Sequence, residues 1–586
     1  MKLMFSVFVL LLGIIVTPAL AQDSIPKGWE TYFEKSNYLA TPSYEESVAY
    51  FKKLEENSPY AKMIPIGQSA QGRTIYCFIA AKGREFTPSE ASSSSKAIVL
   101  LNNGIHAGEI EGKDASMLLL REMLITKEKE YLLDNNIFMV IPTLNVDGHE
   151  RRSPYNRINQ NGPREMGWRT TAQNINLNRD FMKADAPEMQ AFLRLFSSWL
   201  PDFFIDSHTT DGADYQYSVT YEMEKFGDIY HDTARWIKDT FIPYFEQRVK
   251  EKGFLIAPYV SFKDDKMLNG IEEWASLPRL STGYASLENR PSLLIETHML
   301  KPYKDRVFST KASVEAVLEY TNNKSLALKV LNKKADQNSI RELVGGFLPV
   351  EFKVSENNKG FVFKGFRSEE DSSLLAGKKI IRYSKEKKDF EIPYYYDVLA
   401  TDSVPVAAAY IIPRQWALLT ERMKLHGIEV KELDHDTTLQ VQRYSFRNVK
   451  FQKWPYEGRF QPSFELSSFS EKLSVPMGSL IVSTAQRTIR LIVNLLEPNA
   501  PDSFIKWGFL NAIFEQKEYF EDYSMEPIAE EMLKNDSKLR EEFQKRLRED
   551  ESFRKDPHKR LYFFYERSPY FDKELNLYPV SRIVKN

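Results

Sequence analysis

"KAIVLLNNGIHAGEIEGKDASMLLL" (residues 96–120) runs from an unbroken apolar stretch, through a polar turn, into a helical pattern with one apolar face. A continuous apolar run bounded by turn residues is what a strand covered on both faces requires, and a helix directly after it supplies part of that cover. Three other stretches have the same form: "NNIFMVIPTLNVDG" (135–148), "PDFFIDSHTTDG" (201–212) and "RPSLLIETHML" (290–300). Helical segments such as "SYEESVAYFKKLEENSP" (43–59) and "APEMQAFLRLFSSWL" (186–200) are interspersed with them. This alternation predicts an α/β fold with a mixed, mostly parallel central sheet and helices on both faces.

The texture changes near residue 330. "NKKADQNS" (332–339) is polar, and short alternating segments such as "GGFLPVEFKV" and "FVFKGF" follow it. Strands dominate from about 390 to 475, interrupted by the helix-like "PRQWALLTERMKLHG", and the end from about 476 is helical and strongly charged. The expected organisation is a leader at 1–21, a catalytic domain at 22–330, a β-rich accessory domain at 331–475 and a helical region at 476–586. No internal repeat is visible, and the C-terminal charge run reads as a solvated helix face.

Composition narrows the class. The chain has 586 residues, 42% of them hydrophobic and 13% aromatic, enough for more than one core. A formal net charge of −2 gives no reason to expect a nucleic-acid or anionic-membrane partner. "MKLMFSVFVLLLGIIVTPALAQDS" (1–24) carries a lysine, an apolar run and Ala19-Leu20-Ala21, the pattern of a cleavable secretory signal. The expectation is therefore a secreted or periplasmic protein starting at Gln22, with no membrane insertion after cleavage. Cys77 is the single cysteine, so no intramolecular disulfide can form, which favours a periplasm over a eukaryotic secretory route. Its place in "TIYCFIA" marks it as a buried small hydrophobe.

The four apolar strands share a property: each ends in polar residues, "NNGIHAGE", "TLNVDGHE", "FIDSHTTDG" and "LLIETH". Sites in open α/β sheets form beyond the carboxyl ends of the strands, so these clusters are expected to converge. His106, Glu109 and His208 make up two imidazoles and a carboxylate, a common zinc set that leaves a fourth position for water. Glu296, ending an apolar run, is placed to take a proton from that water. Glu111 is a rival to Glu109 as ligand. Asp206 reads either as a partner orienting a ligand imidazole or as a turn acid. His149 reads as a turn histidine, and His298, two residues past Glu296, either as a support for the site or as a packed structural histidine.

These residues resemble a known family. "IGQSAQGRTIY", "HAGE", "NVDG", "GWR", "NLNRDF", "DSH" and "IET" occur in the order found in zinc carboxypeptidases of the carboxypeptidase A/B class, across roughly residues 43–330. The resemblance implies one zinc per chain on His106, Glu109 and His208, with Glu296 as general base. It makes Asn178 and Arg179 the grip on the substrate's terminal carboxylate, a task suited to a planar guanidinium fork. Arg169 would polarise the scissile carbonyl. The family's substrate-capping tyrosine has no obvious counterpart; Trp274 stands in the expected stretch, and Tyr284 is a candidate through a shortened loop.

The implied activity is removal of a C-terminal residue from a peptide with a free carboxylate, by a large exported member of bacterial type. Two alternatives stay open: a carboxypeptidase acting on peptidoglycan stem peptides with D-amino-acid or diaminopimelate bonds, and a catalytically silent peptide-binding relative.

Overall fold

The structure, a computed structural model, describes residues 25–210 and 212–584; the leader reading of residues 1–21 lies outside them. Eight strands form the central sheet. They are β1 (Ala61–Gln68), β2 (Thr74–Ala80), β3 (Ala97–Asn103), β4 (Asn136–Ile141), β5 (Phe203–Thr210), β6 (Val219–Glu222), β7 (Ile256–Pro258) and β9 (Ser292–His298), while the short β8 (Ile271–Glu272) pairs elsewhere. Their spatial order is β1-β2-β4-β3-β5-β9-β6-β7. The inner strands β4, β3, β5 and β9 are all parallel, and β1, β2 and β6 join through antiparallel pairings. The sheet is mixed with a parallel centre, as the alternation predicts.

Every residue of β3, β4 and β5 is buried. The pleat divides β3 between two cores: Ile98 and Leu100 enter one, Val99 and Leu101 the other. The helices Glu111–Leu124 and Tyr303–Leu343 cover the second face, and Pro187–Trp199 covers the first with Phe192 and Phe196. Gly112 allows the helix Glu111–Leu124 to start against the sheet, because a Cβ there would collide with the side chains of Asn103 and Ser207.

The accessory half is less separate than the sequence suggested. The helix Tyr303–Leu343, kinked at Lys324, continues without a loop through residue 330, so the expected domain boundary falls inside it. Beyond it, β10 (Phe347–Val354) pairs with β13 (Val398–Pro405), and the long hairpin β11 (Asn358–Ser373) and β12 (Lys378–Tyr395) pairs with β8 of the catalytic domain. A six-stranded sheet orders β15 (Lys431–Glu432), β18 (Leu480–Ser483), β14 (Ala409–Ile412), β19 (Ser581–Ile583), β16 (Thr437–Phe451) and β17 (Pro462–Val475). Two of its strands, β18 and β19, come from the region expected to be purely helical. Tyr410, Leu419, Leu491 and Leu495 of this half share one core with Phe181, Phe192 and Phe204 of the catalytic half. Strands of four and three residues carry too little pattern to be read without the sheet that recruits them.

Candidate functional site

Parallel pairing puts the ends of β3, β5 and β9 on one edge, with His208 directly opposite Glu296 in register. After β3 the chain turns at Gly104, whose φ of +63° is in the left-handed region, and delivers His106 and Glu109 just before the helix Glu111–Leu124. His106 Nδ1 lies 3.2 Å from the Glu109 carboxylate, and His208 Nδ1 lies 3.0 Å from it. One ligating atom from each residue lies within 4.8 Å of the others, and among the described residues these three form the one such group.

The far sides of both rings are fixed by acceptors. His106 Nε2 is 3.0 Å from Asn176 Oδ1, which also accepts the Asn178 backbone N–H. His208 Nε2 is 2.8 Å from Asp206 Oδ2. Each Nε2 therefore carries hydrogen, and both Nδ1 atoms turn toward the Glu109 oxygens. Lone pairs converging on a carboxylate repel one another unless a proton or a cation lies between them. Donors bound about 2.1 Å from one zinc sit roughly 3.4 Å apart, so the donor types and their spacing fit that ion. The charge state reflects the crowding: burial holds His106 down at about 4, whereas Asp206 and Glu109 outweigh burial at His208 and raise it well above its ordinary value. Burial alone would raise Glu109, but His106 and Arg157 hold its carboxyl well below the usual range.

The donors open onto a cleft of about 630 Å³. Glu296, Arg169, Asn178 and Arg179 all line it, as expected. Burial pushes the Glu296 carboxyl up to about 8. Asn178 and Arg179 sit in the short turn Leu177–Arg179, and Asn178 Oδ1 accepts the Ser281 backbone N–H at 3.3 Å. Arg169 reaches the Glu109 carboxylate at 3.3 Å.

Other placements differ from the sequence reading. Tyr284 does not line the cleft: it is fully buried, and its hydroxyl donates to Glu288 at 2.9 Å with His426 beside it. Its helix, Ser281–Leu287, presents Ser281 and Thr282 to the cleft and turns Tyr284 into the core against Phe181 and Phe196. Tyr259 and Trp274 form the aromatic wall instead, edge to face with centroids 5.1 Å apart. Glu111 is not a ligand. Its two oxygens accept from Arg306 Nε at 2.6 Å and Thr209 Oγ1 at 2.8 Å, so it is spent on a buried ion pair. Asp206 takes the orienting role, while His149 and His298 bond to Lys113 and Asp214 away from the donors.

Three participants escaped the sequence. Arg157 donates to Glu109 at 2.8 Å from a loop with no motif of its own. Asn176 stands two residues before Asn178, a spacing that could have flagged it. Glu222 lines the cleft at the end of β6, in a strand of four residues. The accessory half also reaches this region: in the turn at the β16–β17 hairpin tip, the Glu457 carboxylate accepts the Asn176 backbone N–H at 3.1 Å.

Comparison with known proteins agrees with this geometry. Residues 47–239 match the zinc carboxypeptidase family, peptidase M14. Carboxypeptidase 2 of Trichophyton rubrum is 22% identical over 504 residues, covering 81% of this chain and 85% of that protein. Carboxypeptidase 2 of Trichophyton tonsurans is 23% identical over 465 residues, covering 76% and 79%. Among solved structures, a metallo-carboxypeptidase from Burkholderia cenocepacia aligns with 17% identity and a TM-score of 0.37, over 48% of this chain and 70% of that one. Carboxypeptidase A from Helicoverpa armigera aligns with 14% identity and a TM-score of 0.36, over 49% and 73%. The family match and the Trichophyton relatives support a peptide hydrolase, with the candidate metal donors at the strand ends. The match to the zinc carboxypeptidase family covers residues 47–239, which include His106, Glu109 and His208. Glu296 lies beyond the matched segment and enters the site through the pairing of β9 with β5.

Proposed function

We propose that this protein removes the C-terminal residue of peptides, with His106, Glu109 and His208 holding one zinc ion per chain. A zinc ion bound there would polarise the scissile carbonyl and acidify a water molecule. The protein's own groups divide the remaining work. Arg179, with Asn178 beside it, grips the terminal carboxylate and sets which peptide bond faces the donors. Glu296 takes the proton from the attacking water and passes it to the leaving amine. Arg169, half exposed at the cleft wall, stabilises the developing oxyanion, and Arg157 holds Glu109 in place from the side.

The observation that supports this reading is the meeting, in one cleft, of His106, Glu109 and His208 with the buried Glu296 carboxyl and the Asn178–Arg179 pair, drawn from four separate chain segments. The sequence of residues 1–21 supports export, and among the described residues no helix is long and apolar enough to cross a membrane.

The test is hydrolysis of a peptide ladder by zinc-loaded protein, beside the same peptides with amidated C-termini. Release of single C-terminal residues, lost on chelation and restored by zinc, is the expected result. Equal cleavage of amidated peptides would remove the carboxylate clamp from the mechanism.

A further inference from the structure

We propose that Glu222 selects the C-terminal side chain of the substrate, and that the side chain it selects is cationic, that of lysine or arginine. The proposal rests on the carboxypeptidase reading and adds to it the class of residue removed.

Position comes first. β6 runs antiparallel to β9, placing Thr220 opposite Glu296 and Glu222 opposite Leu294. Glu222 therefore points to the same side as Thr220, two residues or roughly 7 Å along the strand, and it lines the same cleft. The clamp is tied to this end of the cleft, because Asn178 bonds Ser281, and the next residue, Thr282, donates to Ser276 Oγ at 2.9 Å. Ser276 in turn donates to Glu222 Oε1 at 3.1 Å. A substrate whose terminal carboxylate lies on Arg179 thus extends its last side chain toward Glu222.

Chemistry comes second. The relay from Thr282 through Ser276 ends with one hydroxyl proton on Glu222 Oε1, and Glu222 Oε2 is buried with no hydrogen-bond partner. Its neighbour Glu224 cannot share the role, since its oxygens accept the backbone N–H groups of Phe226, Gly227 and Ser276. Glu273 is engaged by Lys225 at 2.9 Å and by the Tyr394 hydroxyl. Three carboxylates thus stand against one lysine beneath this end of the cleft. Burial, with Glu224 adding to it, pushes the Glu222 carboxyl up to about 8. A cation brought in by the substrate relieves both causes and gives Oε2 its partner. An apolar side chain leaves that oxygen buried and unpaired, and an acidic one meets like charge. Leu280 and Leu294 line the path for an aliphatic stem, beside the aromatic pair Trp274 and Tyr259.

The experiment compares kcat/KM on peptides differing only in their last residue: Lys, Arg, Leu, Phe and Glu. The basic peptides are expected to lead the others by about tenfold or more. E222Q should lower kcat/KM on Lys and Arg peptides at least about tenfold more than on the Leu peptide, and E222K should move the preference toward Glu. A wild-type preference for Leu or Phe, or an equal loss on all peptides in E222Q, overturns the proposal. If no peptide is hydrolysed, the carboxypeptidase reading fails by itself, and calorimetric binding of free arginine against norleucine decides this one. Arginine binding more tightly in wild type but not in E222Q supports it; equal affinities overturn it.

Discussion

Strand β5 and the hairpin β11–β12 are both β-structure, yet they handle polar residues in opposite ways. All eight residues of β5 are buried, including Asp206, Ser207 and His208, and each of these three has a specific partner. The outer part of the hairpin is exposed on both faces, ending at Leu374 and Leu375, which are 96% and 99% exposed. Its charges pair across the strands, as Arg382 does with Asp371 at 2.8 Å. An exposed pair of this kind contributes little and points to nothing beyond itself. A buried polar group must be satisfied within the protein or by what the protein binds, so at β5 each polar residue carries information.

If that contrast is right, substitutions should lose effect with distance from the buried strand ends. The largest effects belong to the donors and the base. H208A should abolish stoichiometric zinc in metal analysis, and E296Q should keep zinc while lowering kcat by about a thousandfold. An E296Q enzyme with near wild-type kcat would break the assignment of the base. R179A comes next, raising KM by roughly a hundredfold on peptides with a free C-terminus, equivalent to about 2.7 kcal/mol. Its effect should be small in any assay of amidated peptide binding, measured by competition.

E457A sharpens the comparison, since it lies in the accessory half yet touches the Asn176 backbone behind His106. Loss of that hydrogen bond should lower kcat/KM by about tenfold, with E457Q, which keeps an acceptor, restoring most of it. Equal loss in both would mean that the charge rather than the hydrogen bond matters. The smallest effect is expected from replacing residues 367–383 with a short turn. The inner hairpin stays anchored by Phe363 and Ile392 against Tyr215 and Tyr217, so peptide hydrolysis should change by less than about twofold. A large loss there would make the hairpin part of the substrate path.

The legible parts of the site were those attached to long buried strands. His106, Glu109, His208 and Glu296 end apolar runs, where a polar residue is unexpected and therefore conspicuous. Asn178 and Arg179, the proposed clamp, came through a motif rather than through pattern, and the structure puts both in the cleft. Tyr284 misled because spacing along the chain does not say which side of a helix faces the cleft; one turn of Ser281–Leu287 separates lining residues from core. Glu222 and Arg157 gave no signal at all: one ends a four-residue strand, and the other sits in a loop whose course is set by its contacts.

By itself, the sequence determined an α/β sheet with a parallel centre, because only strands covered on both faces tolerate unbroken apolar runs. It also marked His106, Glu109 and His208 as candidate metal donors, because polar residues close several of the apolar runs. Tertiary structure showed Glu109 beside both histidines and its rival Glu111 committed to Arg306. It also decided that the accessory half shares a core with the α/β half, and that Glu222 lines the same cleft as Asn178 and Arg179. Each of these depends on contacts between residues far apart in the chain, and short segments take their conformation and their partners from the surfaces that bury them.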